Sequence, residues 1–152
     1  MPDSIRILLD SPEATARAGA RLAEAVVGGD AIALIGDLGA GKTTFTAGLV
    51  AALGGGAAAS PTFSLVNEYR HGRLYVWHVD LYRLERAAEL PELGLDDLIG
   101  DHRGIVLVEW ADKFAVMPPD HLRIELAHED DVRRLTATGT GPRGTALASV
   151  LG

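Results

Sequence analysis

The chain has 152 residues, with 14 Lys or Arg and 21 Asp or Glu, so its formal net charge is −7. This length fits one domain over residues 1–152, and 47% hydrophobic with 23% charged residues is typical of a globular protein. The lack of cysteine excludes disulfides, thiol catalysis and thiolate zinc sites. The acidic balance disfavours direct nucleic-acid binding. With no signal peptide or membrane-spanning run, we expect a soluble, cytoplasmic protein and no membrane partner.

The first part of the chain predicts alternating strands and helices. Residues 5–9 predict a short edge strand. Residues 11–13 (Ser-Pro-Glu) predict a helix start, with a hydroxyl cap, an early proline and an acid near the positive helix end. Residues 31–35 form a continuous apolar run, which is typical of a buried parallel strand. From Gly41 onward, apolar residues at helical spacing predict a second helix.

The rest of the chain predicts further strands and short helices. Five runs predict strands, and the first two and last two of these predict hairpins: 63–69, 74–80, 105–109, 121–126 and 134–138. Residues 84–100 predict a helix broken into two pieces by Pro91 and Gly94, and the tail 145–151 predicts a short helix or strand. This pattern predicts an α/β fold, with a mixed, mostly parallel sheet flanked by helices and with antiparallel hairpins.

The strongest local signal is a glycine-rich segment between an apolar strand and a helix. It is Gly36-Asp37-Leu38-Gly39-Ala40-Gly41-Lys42-Thr43, a full match to G-x-x-x-x-G-K-[ST]. Its glycines allow backbone N–H groups to converge on phosphate oxygens, and the helix that follows directs its positive end to the same phosphates. Lys42 is placed to reach the outer phosphates, and the Thr43 hydroxyl is placed to join a Mg²⁺ shell. The segment therefore predicts a phosphate-binding loop.

Three acidic residues are candidates for the metal role that such a loop requires. Glu109 ends an apolar run, the pattern of a strand that delivers a carboxylate beside the loop, and it either contacts the ion or orients the attacking water. Asp80 also ends an extended segment, and we expect it near the terminal phosphate or in the outer metal shell. Asp37 lies inside the loop, at a position that tolerates many residues. We place Glu109 and Thr43 at the metal.

Several other residues carry open alternatives. Thr62 either senses the terminal phosphate through Mg²⁺ or forms a strand-entry turn. Arg83 and Arg86 either stabilise developing charge or are solvated. His78 is expected to pack or hydrogen-bond within its strand rather than act as a base. Trp110 either covers the site or fills the core.

The sequence also narrows the class of phosphate-loop protein. Guanine-binding switches use an Asn-Lys-x-Asp signature, whereas Asn67 is the sole asparagine here and Glu follows it, so GTP is disfavoured. Residues 97–100 match D-x-x-G, but they lie in the interrupted helical region. A small-molecule kinase needs a second pocket and a lid, for which the chain is short. Large ring ATPases carry an additional helical domain that does not fit this length. The residues alone leave the class open, with a small kinase and a nucleotide-gated, non-catalytic assembly module among the alternatives.

Five segments carry a resemblance to a known family. They are GDLGAGKTTF (36–45), SPTFSLVNEY (60–69), HVDLYRL (78–84), LGLDD (93–97) and LVEWADK (107–113). In this order and spacing, over about residues 10–117, they resemble the TsaE (YjeE) family, bacterial ATPases of tRNA threonylcarbamoyladenosine biosynthesis. The phosphate loop alone is generic, whereas SPTF, HxDLYR and EW in this order are specific to the family.

The resemblance implies roles for particular residues. It implies ATP or ADP binding through the positions matching Asp37 to Thr44, namely Asp37, Leu38, Gly39, Ala40, Gly41, Lys42, Thr43 and Thr44. It implies Thr43 and Glu109 as magnesium contacts and Asp80 as a catalytic or metal-linked acid. Lys42 is the loop's catalytic lysine. Thr62 corresponds to a switch-like segment, and Thr15 is expected to approach the adenine.

The resemblance also implies partners. The family works with the TsaB–TsaD heterodimer, which transfers the threonylcarbamoyl group to adenosine 37 of tRNAs reading ANN codons. ATP turnover is expected to support cycles of that reaction without itself modifying the base, and to be weak without the partner. The −7 charge agrees with tRNA contact made only through the partner complex.

Overall fold

The computed structural model of the protein describes residues 4–37, 39–55, 66–70 and 72–152. Within these ranges, seven strands form one sheet: β1 (Ser4–Leu9), β2 (Ala31–Gly36), β3 (Val66–Tyr69), β4 (Tyr75–Asp80), β5 (Gly104–Glu109), β6 (His121–Glu129) and β7 (Val132–Thr140). The same ranges hold four α-helices and one 3₁₀ helix: α1 (Pro12–Ala23), α2 (Lys42–Ala52), the 3₁₀ helix (Ala87–Leu93), α3 (Leu95–Leu98) and α4 (Gly141–Val150). None of the helices in these ranges is long and apolar enough to cross a membrane.

The described strands lie in the order β1-β7-β6-β2-β5-β4-β3. The four central strands, from β6 to β4, are parallel, and the outer strands pair antiparallel. This arrangement confirms the predicted mixed α/β fold with antiparallel hairpins. The apolar run at 31–35 lies in β2, which pairs in parallel with β5 on one side and β6 on the other. Such a strand is buried on both faces, which explains its unbroken hydrophobic sequence.

Strand side chains alternate between two apolar clusters, one on each face of the sheet. Ile32 and Leu34 of β2 belong to the cluster that includes α1, α2 and α4. Ala33 belongs to the opposite cluster, together with Leu84 and Leu95 from the segment between β4 and β5. Helices therefore flank both faces of the sheet.

Helix α1 begins where the sequence predicts. Ser11 Oγ accepts the N–H of Ala14 at 3.1 Å, and the helix starts at Pro12. Farther along, α1 lies so close to α2 that a Cβ at Gly48 would come within 2.1 Å of the Ala16 carbonyl oxygen. A Cβ at Gly19 would meet the α2 backbone at 2.2 Å. This tight crossing, which the sequence analysis did not identify, keeps the start of α1 beside the start of α2.

The segment between β4 and β5 differs in detail from the prediction. Two short helical pieces form, but Pro91 lies inside the 3₁₀ helix and does not break it. The break is at Gly94, whose φ is 68°, a left-handed conformation that glycine adopts without strain. The Pro91 carbonyl accepts the N–H of Gly94 at 3.3 Å at the end of this helix.

Helix α4, in the region predicted as a short helix or strand, is held at its N-terminal end. The Asp120 carboxylate accepts the N–H groups of Arg143 and Gly144 at 3.2 and 2.8 Å. The Arg143 guanidinium makes two hydrogen bonds to Asp30, at 3.0 and 2.8 Å, and the hydrogen bonding raises the pKa of Arg143. The Asp30 side chain is 3% exposed and precedes β2, so this pair joins α4 to the central strand.

Candidate functional site

The glycine-rich loop joins the end of β2 to the start of α2. Gly39 and Gly41 have φ values of 81° and 111°, in the left-handed region that favours glycine. Gly41 precedes α2 at its N-cap position, and no side chain in the described ranges caps the helix. The first N–H groups of a helix have no helical carbonyl to bind, and they carry the positive end of the helix dipole. The start of α2 is therefore suited to an anion such as phosphate.

Lys42 is held between an acid and an aromatic ring. Its Nζ lies 3.8 Å from Glu109 Oε1 and 4.2 Å from the centroid of the Trp110 ring. The lysine side chain is only 6% exposed. A cation in this position is attracted by the carboxylate and by the face of the indole, and burial strengthens both interactions.

The two predicted strand-end acids lie side by side. Glu109 ends β5, which is paired in parallel with β2 on one side and with β4 on the other. Asp80 ends β4 directly opposite Glu109 in the strand register, and its Oδ1 accepts the N–H of Tyr82 at 2.9 Å. The carboxyl ends of three parallel strands thus meet at one sheet edge, where α/β proteins bind ligands.

His78 differs from its predicted role. Its Nε2 lies 2.5 Å from Glu109 Oε2, so it hydrogen-bonds to the neighbouring strand and not within its own. Strand alternation puts His78 on the same face of β4 as Asp80, two residues later. That spacing was the available sequence signal. The predicted hydrogen bond within β4 was wrong because it considered only contacts along that strand, whereas the predicted packing agrees with a side chain that is 11% exposed.

Trp110 has an unusual backbone conformation. Its φ is 59°, which is rare for a residue other than glycine and costs of the order of 1–3 kcal/mol. Its ring packs against Tyr82, with ring centroids 5.0 Å apart, and Tyr82 is 50% exposed. Trp110 therefore covers Lys42 and also packs on an apolar cluster, so both roles left open by the sequence are present.

A cleft of about 300 Å³ opens beside the loop. Ser11 and Thr15 line it from the start of α1, Gly41 and Thr44 from the loop and α2, and Arg133 from β7. Thr15 is buried, and its Cγ2 would lie 3.4 Å from a Cβ at Gly41. The structure thus brings Thr15 against the glycine-rich loop.

Comparison with known proteins decides the family. The family model described as "Threonylcarbamoyl adenosine biosynthesis protein TsaE" matches residues 9–136. The chain belongs to the TsaE family. A Bacillus subtilis protein named tRNA threonylcarbamoyladenosine biosynthesis protein TsaE is 42% identical over 126 residues, which are 81% of this chain and 78% of the relative. A Streptomyces coelicolor protein of the same name is 41% identical over 145 residues, 88% of this chain and 96% of the relative.

A solved structure supports the same assignment. The crystal structure of Bacillus subtilis YdiB matches this TsaE-family chain with a TM-score of 0.83 and 34% sequence identity. The match covers 99% of this chain and 95% of YdiB. The described sheet and helices therefore form the fold of a solved relative over almost the whole chain.

The other predicted residues of this TsaE-family chain take separate positions. Thr43 is exposed in the first turn of α2, and Asp37 is exposed in the loop, where its carbonyl accepts the N–H of Ala40 at 3.1 Å. Arg83 and Arg86 are exposed and fall after β4. Two further predicted residues, Leu38 and Thr62, lie outside the described residues.

Proposed function

We propose that this TsaE-family chain binds ATP and hydrolyses it with Mg²⁺, as the ATPase component of tRNA threonylcarbamoyladenosine biosynthesis. The observation that carries the proposal is the 3.8 Å approach of Lys42 Nζ to Glu109 Oε1, beside the uncapped start of α2. A buried cation, a set of backbone donors and a carboxylate share one site. That combination suits a phosphoryl-transfer reaction, in which positioning and charge stabilisation do most of the work.

In this proposal, the loop and α2 hold the phosphates. Backbone N–H groups of the loop and of the first turn of α2 donate to phosphate oxygens, and Lys42 neutralises charge at the outer phosphates. Phosphate oxygens compete with Glu109 for the lysine. Because Lys42 is only 6% exposed, its attraction to phosphate is weakly screened by solvent.

The donors present suit magnesium. Thr43 offers an exposed hydroxyl and Glu109 a carboxylate, with Asp80 beside it. Bound Mg²⁺ would neutralise phosphate charge and help align the reacting oxygens. In the described part of the chain, no cluster of three or more His, Asp or Glu side chains is arranged to hold a metal ion by itself. Phosphate oxygens and water are therefore needed as further ligands, as is usual for Mg²⁺.

The proposal also gives roles to the remaining residues. Glu109 or Asp80 orients the attacking water, and Glu109 is the one in contact with Lys42. The cleft beside the loop takes the nucleoside, with Thr15 near the adenine. In this proposal, Thr62 responds to the terminal phosphate.

We also propose that the TsaB–TsaD heterodimer gates this activity in the cytoplasm. The curated relatives bear the name of tRNA threonylcarbamoyladenosine biosynthesis, and the net charge of −7 suits contact with tRNA through partners. Among the described contacts of Lys42 and Glu109, none involves an arginine. Phosphoryl-transfer sites without an arginine at the terminal phosphate are slow on their own.

The first prediction concerns Lys42→Ala. Phosphate release from ATP is measured with Mg²⁺, for the chain alone and with TsaB–TsaD. We expect slow release alone and faster release with the partner, and a loss of about 10²–10³-fold in Lys42→Ala because its charge no longer stabilises the transition state. Lys113→Ala is the matched control, since Lys113 is the chain's other lysine and is exposed, donating to the Tyr82 carbonyl oxygen at 2.9 Å. Its nucleotide affinity should match the unmodified protein.

Other outcomes select the alternatives. Unchanged hydrolysis in Lys42→Ala contradicts the phosphate-loop assignment. Tight ATP binding without release, even with TsaB–TsaD, supports a nucleotide-gated assembly module. Phosphate appearing on an acceptor molecule, and not as free phosphate, supports a small-molecule kinase.

A further inference from the structure

His78 makes a contact that none of the proposed nucleotide roles uses. It lies on β4, and its side chain reaches diagonally to Glu109 on β5, with 2.5 Å between Nε2 and Oε2. Both side chains are 11% exposed. A carboxylate only accepts hydrogen bonds, so the imidazole Nε2 donates, and a bond to a charged acceptor is stronger than a neutral one.

The two oxygens of the Glu109 carboxylate face different neighbours. Oε2 is taken by His78, while Oε1 faces Lys42 Nζ at 3.8 Å. A glutamate side chain has several rotatable bonds, and without a second anchor the carboxylate can turn its oxygens away from the lysine. The hydrogen bond to His78 restricts that rotation.

We propose that His78 is a positioning residue, which holds Glu109 Oε2 so that Oε1 stays turned toward Lys42 and the phosphate end of the site. This inference rests on the proposed function, in which Glu109 acts in ATP hydrolysis. His78 acts through Glu109, because its Nε2 donates to the carboxylate and is not available to take a proton from water.

A purely structural role is not needed at this position. Strands β4 and β5 pair in parallel along their whole length, from Tyr75 opposite Gly104 to Asp80 opposite Glu109. The backbone ladder therefore joins the strands without help from the side chains. The His78–Glu109 hydrogen bond therefore affects the orientation of the carboxylate.

Two substitutions separate positioning from packing. In His78→Gln, the side-chain amide can still donate to Glu109. In His78→Leu, an apolar side chain of comparable volume fills most of the space but cannot donate. ATP hydrolysis with TsaB–TsaD, ATP affinity by calorimetry and urea unfolding are measured for both variants.

We expect His78→Leu to lower kcat by about 10–100-fold. This is the range seen when the hydrogen-bond partner of a metal-ligating side chain is removed. KM and the calorimetric Kd should change by less than about threefold, because the loop still binds the phosphates. His78→Gln should recover most of kcat. Wild-type kcat in a folded His78→Leu variant overturns the inference, and so does equal loss in both variants.

A second measurement reads the bond without turnover. In nucleotide-free protein, ¹⁵N-edited NMR should show an imidazole N–H proton that is protected from exchange and is assigned to His78 by its absence in His78→Gln. It should persist in Lys42→Ala and disappear in Glu109→Ala. Persistence in Glu109→Ala means that Glu109 is not the acceptor and overturns the inference.

The two proposals fail in different ways. If the unmodified protein with TsaB–TsaD releases no phosphate, the proposed function fails and the positioning role fails with it. If the unmodified protein is active and His78→Leu is equally active, only the inference about His78 fails.

Discussion

The negative charge of Glu109 on β5 also affects a tyrosine on β3. Tyr69 on β3 is buried, with 7% of its surface exposed, and burial raises its pKa, with a further rise from the negative charge of Glu109. The folded chain therefore holds the phenolic proton more tightly than the unfolded chain does. This contribution to stability is present below the unfolded value near 10.0 and is lost as the pH rises through the folded pKa.

We predict that Glu109→Gln lowers the pKa of Tyr69 but leaves it above the ordinary value, because burial is the larger cause. Ultraviolet titration of tyrosinate measures it, with Tyr69→Phe identifying the transition among the chain's three tyrosines. Glu68→Gln, on the same strand, is the control and should leave Tyr69 unchanged. A Tyr69 that titrates at the ordinary value in the unmodified protein contradicts the prediction.

Part of this site was predictable from local sequence. The loop pattern predicted Lys42 and Thr43, an apolar run ending in an acid predicted Glu109, and an extended segment ending in an acid predicted Asp80. These signals depend on neighbours in the chain. The bond from His78 to Glu109 depends on which strand lies beside β4. The contact between Lys42 and Trp110 depends on a left-handed backbone at a tryptophan, for which composition and periodicity carry no signal.

At the scale of elements, the crossing of α1 over α2 controls the shape of the cleft beside the glycine-rich loop. Gly19 and Gly48 let the two backbones approach more closely than any larger residue allows. Since α1 carries Thr15 and α2 carries Thr44, the distance between the helices sets the width of the cleft that these residues line.

We predict that Gly48→Ala destabilises the fold by about 1–3 kcal/mol, although alanine favours a helix by about 1 kcal/mol over glycine. The new Cβ would come within 2.1 Å of the Ala16 carbonyl oxygen, so the helices must separate. Urea unfolding measures the free energy, and calorimetry should show weaker ATP binding. In the control Ala51→Gly, on an exposed position of α2, a loss of about 1 kcal/mol is expected with ATP affinity unchanged. A Gly48→Ala variant as stable as the unmodified protein contradicts this account of the crossing.

Element boundaries were predictable to differing degrees. Ser11 started α1 as expected because an N-cap is a local interaction. The prediction that Pro91 breaks the helix was wrong, because Pro91 lies inside the 3₁₀ helix. The break is at Gly94, which has a positive φ. The sequence around a mid-helix glycine such as Gly48 does not indicate which helix packs against it. The close contact between α1 and α2 was therefore not predictable.

At the scale of the whole molecule, an ion pair between a partly exposed arginine and a buried carboxylate joins the C-terminal helix to the strand that supports the loop. Asp30 accepts from Arg143 and from the N–H of Val27, the latter at 2.9 Å. Removing the arginine would leave a carboxylate that is 3% exposed without its cation. Unpaired buried groups of this kind are costly.

We predict that Arg143→Ala destabilises the protein by about 1–3 kcal/mol, measured by urea unfolding. Arg123→Ala is the matched control: its pair with Glu125 has side chains that are 39% and 46% exposed, so we expect a change of about 0–1 kcal/mol. Equal effects of the two substitutions would show that the contact of Arg143 with Asp30 contributes no more than a surface pair.

The overall class of the fold was predictable from the order of segments, whereas the strand order was not. A hairpin pairs two strands that are neighbours in the sequence, so the pairing of β6 with β7 was predictable from the pattern. The place of β2 between β5 and β6 depends on pairing between distant segments, and apolar runs of similar composition do not specify which of them meet.

The position of β2 has a consequence during synthesis on the ribosome. Ala31 pairs with Val106 and Ile32 with Leu122, so the strand that carries the phosphate loop has no partner until most of the chain has been made. At about 5–20 residues per second, the loop sequence waits on the order of several seconds for those partners. The glycine-rich loop therefore reaches its place at the sheet only late in synthesis. A nascent or truncated chain that ends before β5 would contain the entire loop sequence without the strands that hold β2 in place.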